Sequence, residues 1–535
     1  DAEKNYKPKS LGFWSIILGL YLTVFIIALD RLIIATAIPK ITDEFHATGD
    51  IGWYGSAYML PAACFNPVSG RVYQMYGTKV VFTLSLVLFE IGSAVCGAAP
   101  SSIAFILGRA IAGTGSAFLQ SGTMLLLLPI VPLRKRPMFM AGFGIVFALA
   151  SVIGPLLGGS LTDKVTWRWC FYINLPVGAF VFLAMIFFFP NDARTTPSTV
   201  ASATNVPPTT RSPFIEHFLN LDPLGILCLV PSIISLILAL QWGGSTDAWS
   251  SPKIVGLLVT FAVLLVAFVL VETVVNPSRA FIPMRIVTQR SIAGAMCFVF
   301  CIAGSMMAVV YYLSIWFQAV QGNSAIDSGL HTLPIVVALV VSSIAGAVAT
   351  QKIGYYTPAM LLTPVLASIG AGLLSLLTPS SGEGQWLGFQ VLYGLGLGMG
   401  LQAPSLVPQT VLARADVPIG VALTFFMQQL GGAVFIAVAQ NIFAGEIVER
   451  LSGVSGLDPA LIVGTGATDI RQVVKPEQLD LVVDAYSYGL TRCFVMAAAF
   501  SAAGMLAALC VEWRTINAKK GGKGGDGGEA TVVEE

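Results

Sequence analysis

LGFWSIILGLYLTVFIIALDRLIIATAI occupies residues 11–38. Only Asp30 and Arg31 carry charge in this run. About 20 apolar residues suffice for a helix to cross about 30 Å of hydrocarbon. The run is too long for a signal-peptide core, so it is expected to remain as a first membrane span. A short stretch with Lys4, Lys7 and Lys9 precedes it. The rest of the chain repeats the pattern. Of 535 residues, 56% are apolar and 11% charged. A soluble domain carries about 25% charged residues and needs them to cover its surface. The composition therefore predicts an all-α polytopic membrane protein.

Fourteen spans are expected, near 13–38, 52–70, 80–98, 102–128, 138–161, 170–189, 222–242, 253–275, 291–317, 329–350, 358–378, 385–412, 418–444 and 488–511. An even number places both termini on one side. Lys and Arg favour the cytoplasm. With the termini inside, 19 of the 29 Lys and Arg fall in cytoplasmic segments. These include Arg71, Lys79, Arg134-Lys135-Arg136, Arg279, Arg285 and Arg290. The expected organisation begins with a cytoplasmic N-terminus at 1–12 and a six-helix bundle at 13–189. A polar linker at 190–221 leads to two additional helices at 222–275. A second six-helix bundle follows at 291–511, with an outer loop at 445–487. A disordered cytoplasmic tail is expected at 512–535.

The net charge of +1 gives no nucleic-acid footprint. Eight scattered cysteines, including Cys297 and Cys301, lack His or carboxylate companions and read as packing residues. No metal site is expected. No permitted Asn-x-Ser/Thr sequon occurs. Gly77-Thr78-Lys79 lacks the spacing of a phosphate-binding loop, so no nucleotide cofactor is expected and a gradient must supply the work.

An ionisable group inside a span costs at least about 2.5–3.5 kcal/mol, so it usually has a partner or a task. Asp30, Glu90 and Arg109 all fall about 10–13 Å below the outer boundary at 1.5 Å per residue. They can share one layer. Arg keeps its proton and stabilises a neighbouring carboxylate, which makes the layer a candidate proton site. A static ion pair that fixes helix packing is the competing reading. Arg31, adjacent to Asp30, is expected to point away from it and reach toward the outer headgroups. Gly154-Pro155 with Gly158-Gly159 suits either close helix packing or a pivot between moving helices.

Several motifs in order resemble the major facilitator superfamily, and within it the fourteen-span drug:proton antiporters, most of all fungal ones. Leu29-Asp30 through Pro39 resembles the first-span motif. Gly70, Gly77 and Lys79 resemble the loop between spans 2 and 3, with Gln74 where that motif has an acid and Thr78 where it has Arg. Arg109, Gly113 and Gly115 resemble the fourth-span motif, and Gly154, Pro155, Gly158 and Gly159 the antiporter motif. Trp167 to Pro176 resembles the entry to span 6. Gly346 to Tyr355 looks like a degraded second copy of the loop at Gly70.

The resemblance implies a major facilitator fold: two six-helix bundles plus two extra spans, fourteen in all, working by alternating access. It implies proton coupling at Asp30 and Arg109, with Glu90 secondary, and a pivot at Gly154 and Pro155. Gln74 implies a weakened or rebuilt clamp between the bundles. Candidate substrate contacts are Tyr311, Trp316, Gln318, Gln402, Gln428 and Asn441; ordinary helix packing is the alternative for each. Expected partners are protons, lipid and a small lipophilic substrate such as a toxin, secondary metabolite or drug. The chain is expected to act as a monomer in the plasma or vacuolar membrane. A facilitator or importer of a nutrient, siderophore or amine is a second reading. A non-transporting receptor or lipid-handling protein is a third.

Overall fold

The computed structural model describes residues 6–46, 50–189, 219–244, 247–275, 279–452 and 474–517, with 454, 457, 459 and 462 as single positions. Most of the expected linker and tail, at 190–218 and 518–535, lies outside them.

Fourteen long helices are found among the described residues. The first six are α1 Leu11–Phe45, α2 Ile51–Tyr76, α3 Thr78–Ala98, α4 Ser102–Leu127, α5 Arg136–Lys164 and α6 Asn174–Phe188. Then come α7 Pro223–Trp242 and α8 Pro252–Leu270. The last six are α9 Arg290–Ala319, α10 Leu333–Ile353, α11 Thr357–Leu374, α12 Glu383–Gly400, α13 Val417–Leu451 and α14 Pro476–Leu509. Local chemistry sets several starts. Asp222 caps α7 through Gly225 N–H, with Pro223 in the first turn, where its missing N–H costs nothing. Ser251 and Pro252 do the same for α8.

Twelve stretches are long and apolar enough to cross a membrane, where the sequence led us to expect fourteen. Helices α2 and α12 are not among them. Helix α2 carries Pro61, Pro67 and the fully buried Asn66. Helix α12 is rich in glycine and buries Gln390 completely. Helix α2 packs on α4 and α13, and α12 on α10 and α11, so much of each surface meets protein and need not be uniformly apolar.

Helix pairing repeats across the two halves. In the first half α1 packs on α5 and α6, α4 on α2 and α3, and α3 on α6. In the second, α9 packs on α13 and α14, α12 on α10 and α11, and α11 on α14. The mapping α1–α6 onto α9–α14 also relates the two seams between halves, α2 on α13 and α5 on α10. This is the arrangement an internal duplication produces. The hairpin α7–α8 lies outside the repeat. Helix α7 packs on α2 and α13, and α8 leans on α7. Only 11% of the span at Pro252–Val275 is buried, so α8 faces lipid on most sides. Ile103, Leu107, Val263, Val266 and Leu506 are likewise apolar and exposed.

Two boundaries differ from expectation. Helix α13 runs to Leu451 and α14 starts at Pro476, so helix takes both ends of the expected outer loop at 445–487. The start of the expected disordered tail is ordered. Ile516 is fully buried and donates its N–H to Gly354 O at 2.8 Å, and Thr515 pairs with Tyr355. That strand-like contact seals the α10–α11 turn.

Candidate functional site: a buried ion pair beside a central cavity

One end of the bundle carries Arg71, Lys79, Arg136 and Arg285 and is called the basic end below. Helix α1 brings Asp30 to the middle of the first half, and α4 brings Arg109 against it. Arg109 Nη1 donates to Asp30 Oδ2 at 2.6 Å, and the side chains are 1% and 0% exposed. The fork is held by more than its counter-charge. Nε donates to Tyr54 O at 3.1 Å and Nη1 also approaches Asp30 O at 3.3 Å. The guanidinium lies 4.5 Å from the Tyr58 ring centroid. Asn174, at the start of α6, donates to Asp30 Oδ1 and to Ser93 Oγ, each at 3.1 Å. Asp30 thus joins α1, α4 and α6.

Asn174 and Tyr58 were not anticipated. Asn174 lies within Trp167–Pro176, which the sequence reading singled out without assigning it a task. That stretch is pinned by Glu44, which accepts from Trp167 Nε1 and Arg168 Nη2, each at 2.6 Å. Trp167 and Phe171 pack edge-on against Phe105, next to Tyr54. Tyr58 gave no signal, because an aromatic residue in an apolar span is ordinarily packing.

Glu90 is in the same region but not in the pair. It lies one turn from Ser93 on α3, and its carboxylate meets the backbone position of Gly178 on α6. Both its oxygens are buried without a hydrogen-bond partner among the described residues. A carboxylate left so would be costly, which favours the neutral acid there.

Arg31 corrects its expectation. It does not reach for headgroups. It is half-buried, donates to Gln429 Oε1 on α13 at 3.2 Å, and lines a cavity of about 250 Å³. Asp30 and Arg31 are one helical step, about 100°, apart. Asp30 therefore faces into the first half while Arg31 faces the seam. Met59, Leu60 and Ala63 from α2, Ile237 and Gln241 from α7, Tyr311 from α9 and Gln440 from α13 complete the walls. The cavity lies in the half of the bundle away from the basic end.

The predicted contacts divide. Tyr311 lines this cavity. Gln402 lines a tighter cleft in the basic half, with Met140 and Ser343. Trp316 is fully enclosed, stacked edge-on with Phe317. Asn441 accepts from Trp249 Nε1 at 2.8 Å and tethers the α7–α8 connection. Gln318 and Gln428 are half-buried on α9 and α13 but line neither space. Beside Gln428 it is Gln429, one residue on, that lines the cavity. That is one helical step, which sequence without helix rotation does not resolve.

The basic end is closed. Gln74 Nε2 donates across the seam to Ala415 O at 2.9 Å and Asp416 Oδ1 at 3.4 Å, and accepts from Arg71 Nη1 at 2.7 Å. Arg285 grips both oxygens of Asp416 at 2.7 and 3.0 Å, which raises the Arg285 pKa further above its ordinary value. The clamp that Gln74 put in doubt is thus rebuilt as a charge-assisted network with the amide as bridge. Gly70 makes it possible. An added Cβ there would meet Ile419 Cα at 2.8 Å and Ala422 Cβ at 2.9 Å. Gly77 turns the chain at φ 81°, and Lys79 caps α6 by donating to Ile186 O and Phe189 O at 3.2 and 3.0 Å. Arg136, at the start of α5, reaches the connection between α12 and α13, where Nη1 donates to Gln409 Oε1 at 2.9 Å. Asp416→Ala is expected to free Gln74 and Arg285 together. A cysteine placed at Gln409 then reacts several-fold faster with a bulky maleimide.

The antiporter motif lies on the α1–α5 seam. A Cβ on Gly158 would meet Ile33 O at 2.9 Å, and one on Gly154 would meet Leu32 Cβ at 3.3 Å. Gly159 has open space. Pro155 lies in α5 between them, with its side chain outside the described residues.

Two bundles related by a repeat, a charged layer in one and a cavity at the seam are together what a transporter needs. The Major Facilitator Superfamily family model matches residues 20–436. The chain belongs to the major facilitator superfamily. It is 45% identical over 515 residues to the MFS-type transporter VdtG of Byssochlamys spectabilis, covering 96% of this chain and 90% of that one. It is 43% identical over 521 residues to the efflux pump aflT of Aspergillus parasiticus, covering 96% and 98%. The fold is similar to that of the human organic anion transporter MFSD10, with a TM-score of 0.59 at 15% identity over 93% of this chain and 99% of that one. The protein is an integral membrane transporter, not an enzyme. Its relatives are fungal transporters and efflux pumps.

Proposed function

We propose that this chain exports lipophilic small molecules, such as toxins, secondary metabolites or drugs, in exchange for protons. The carrying observation is the buried Asp30–Arg109 pair, set one residue from cavity-lining Arg31 on α1. Helix α2 repeats that adjacency: Tyr58 backs Arg109 while Met59 and Leu60 line the cavity. Proton and substrate therefore act on the same two helices. A buried ion pair adds little to stability, so its presence favours a working role.

The exchange runs as follows. With the basic end in the cytoplasm, the cavity faces outward and the cytoplasmic side is shut. A proton reaching Asp30 neutralises the carboxylate and ends its attraction for Arg109, which stays charged. α1 and α4 loosen, and α1 moves against α5 along the Gly154–Gly158 seam. The Gln74–Asp416 network then opens inward. Release of the proton to the cytoplasm restores the pair, and substrate bound from inside is carried out. The relatives named as efflux pumps support this direction.

Fourteen spans, both termini cytoplasmic, fit the even alternation of the helices once α2 and α12 are counted. The plasma membrane is the favoured location, because export from the cell needs it.

The test is reconstitution into liposomes with an imposed pH gradient and a neutral lipophilic fluorophore. Substrate movement opposite to the proton flow, collapsing with the gradient, is expected. Flux indifferent to pH would sink the proposal. Glu90→Gln is expected to keep gradient-driven flux within about twofold of the parent, because Glu90 lies outside the Asp30–Arg109 pair. Loss of coupling in that variant would move the proton site from Asp30 to Glu90.

A further inference from the structure

Arg31 is a cation at membrane depth that has no counter-ion among the described residues. The ion pairs found among the described residues use Asp30, Glu44, Asp247, Asp416, Glu446 and Glu512, and none involves Arg31. Its neighbour Asp30 is committed to Arg109 on another face of α1. Among the described residues its one hydrogen bond is Nη1 to the neutral amide of Gln429, out of five N–H donors that a guanidinium offers. Holding an arginine there costs at least about 2.5–3.5 kcal/mol on insertion scales. Among the described residues no ion pair offsets that cost.

The surroundings fit a guest that does. Met59, Leu60, Ile237 and Ile436 supply apolar wall, and Gln440 and Tyr311 add polar edges. Gln440 Oε1 already accepts from Tyr312 Oη at 3.0 Å, which leaves its amide N–H₂ as the group to offer. The cavity thus presents donors around one fixed positive charge, on a mostly apolar surface. Its volume of about 250 Å³ suits a bicyclic or tricyclic body.

We propose that Arg31 is the substrate-recognition cation of this cavity, and that the preferred substrates are lipophilic organic acids: flat, apolar molecules bearing one carboxylate or acidic phenol or enol. The inference rests on the reading of the chain as a small-molecule transporter. It narrows the substrate from lipophilic small molecules at large to anions, and it disfavours lipophilic cations. It also gives α1 a double role, with the substrate anion at Arg31 and the proton at Asp30 on consecutive residues.

Binding is measured with the full-length transporter in lipid nanodiscs at pH 7.5, using three probes of one shape. These are 9-anthracenecarboxylate, its methyl ester and 9-(aminomethyl)anthracene. Wild type is expected to bind the acid most tightly, then the ester, then the amine. Arg31→Gln is expected to weaken the acid about tenfold or more, as loss of a charge-assisted contact does, and the ester by less than about twofold. Arg31→Lys keeps the charge and is expected to keep the acid ahead of the amine. It carries the test alone should Arg31→Gln fail to fold. The proposal is overturned if wild type binds the acid no better than the ester or not at all. It is also overturned if Arg31→Gln weakens all three alike, or if Arg31→Lys loses the preference. Proton-driven flux is measured on the same preparation in liposomes. Acid preference without coupled flux removes the exporter reading and leaves this one. Coupled flux without acid preference does the reverse.

Discussion

Asp30→Asn is expected to reduce proton-driven transport to the level of empty liposomes while substrate still binds. The amide keeps shape and an acceptor for Arg109 Nη1, but it takes no proton at any relevant pH. Arg109 keeps its bonds to Tyr54 O and its contact with the Tyr58 ring. It loses its counter-charge in a site that is 1% exposed. Removing one partner of a buried pair costs about 3–5 kcal/mol, so the variant should also melt several degrees lower. Arg109→Lys separates the two effects. Made alone, it keeps both charges of the pair but not the fork that spans Asp30 and Tyr54 O, so it should cost less stability than Asp30→Asn while still weakening coupling. The measurements are counterflow, which needs binding and exchange but no gradient, beside gradient-driven flux. Counterflow that persists while gradient-driven flux disappears is the expected pair of results. Unchanged gradient-driven flux in Asp30→Asn would remove Asp30 from the mechanism.

The second large effect is expected at Gly158. Gly158→Leu must push α5 from α1, because its first added atom already meets Ile33 O at 2.9 Å and the Thr36 side chain. Backbone does not yield as a side-chain tip does, and overpacking alone costs about 1–3 kcal/mol. Because α1 carries Asp30 and Arg31, the displacement reaches both the ion pair and the cavity. Transport should fall to background, and acid binding at Arg31 should weaken with it. Gly159→Leu, the adjacent member of the same motif, should leave flux within about twofold, since open space surrounds its Cβ position. Thermal unfolding in detergent and flux in liposomes check both. Equal losses at the two positions would mean that the motif acts through helix flexibility rather than through the seam.

An unbroken apolar run with Asp30 in it demanded a partner, because hydrocarbon offers none. Depth counting brought Arg109 to the same layer. Both deductions need only rise per residue and the cost of a charge in lipid, so one sequence sufficed. The same counting put Glu90 in that layer but could not show that its oxygens meet Gly178 and not the arginine. Hydropathy likewise separated spans from loops and counted 52–70 and 385–412 among the spans, although α2 and α12 are less uniformly apolar than the other twelve. Their neighbours are protein, and their composition answers to glycine contacts and to Asn66 and Gln390.

The sequence by itself thus determined the solvent of this protein, the even alternation of its helices, the duplication and the charged layer. Only the tertiary structure decided which way each helix is turned. Arg31 points into the cavity and not toward headgroups, and Gln429 and not Gln428 meets it. Asn174 closes the Asp30 site from α6. Gln74 replaces a missing acid by reaching Asp416, 342 residues away. Each outcome depends on a rotation of about 100° per residue and on contacts between helices far apart in the chain. Periodicity sets which residues share a face, but packing alone sets what that face meets.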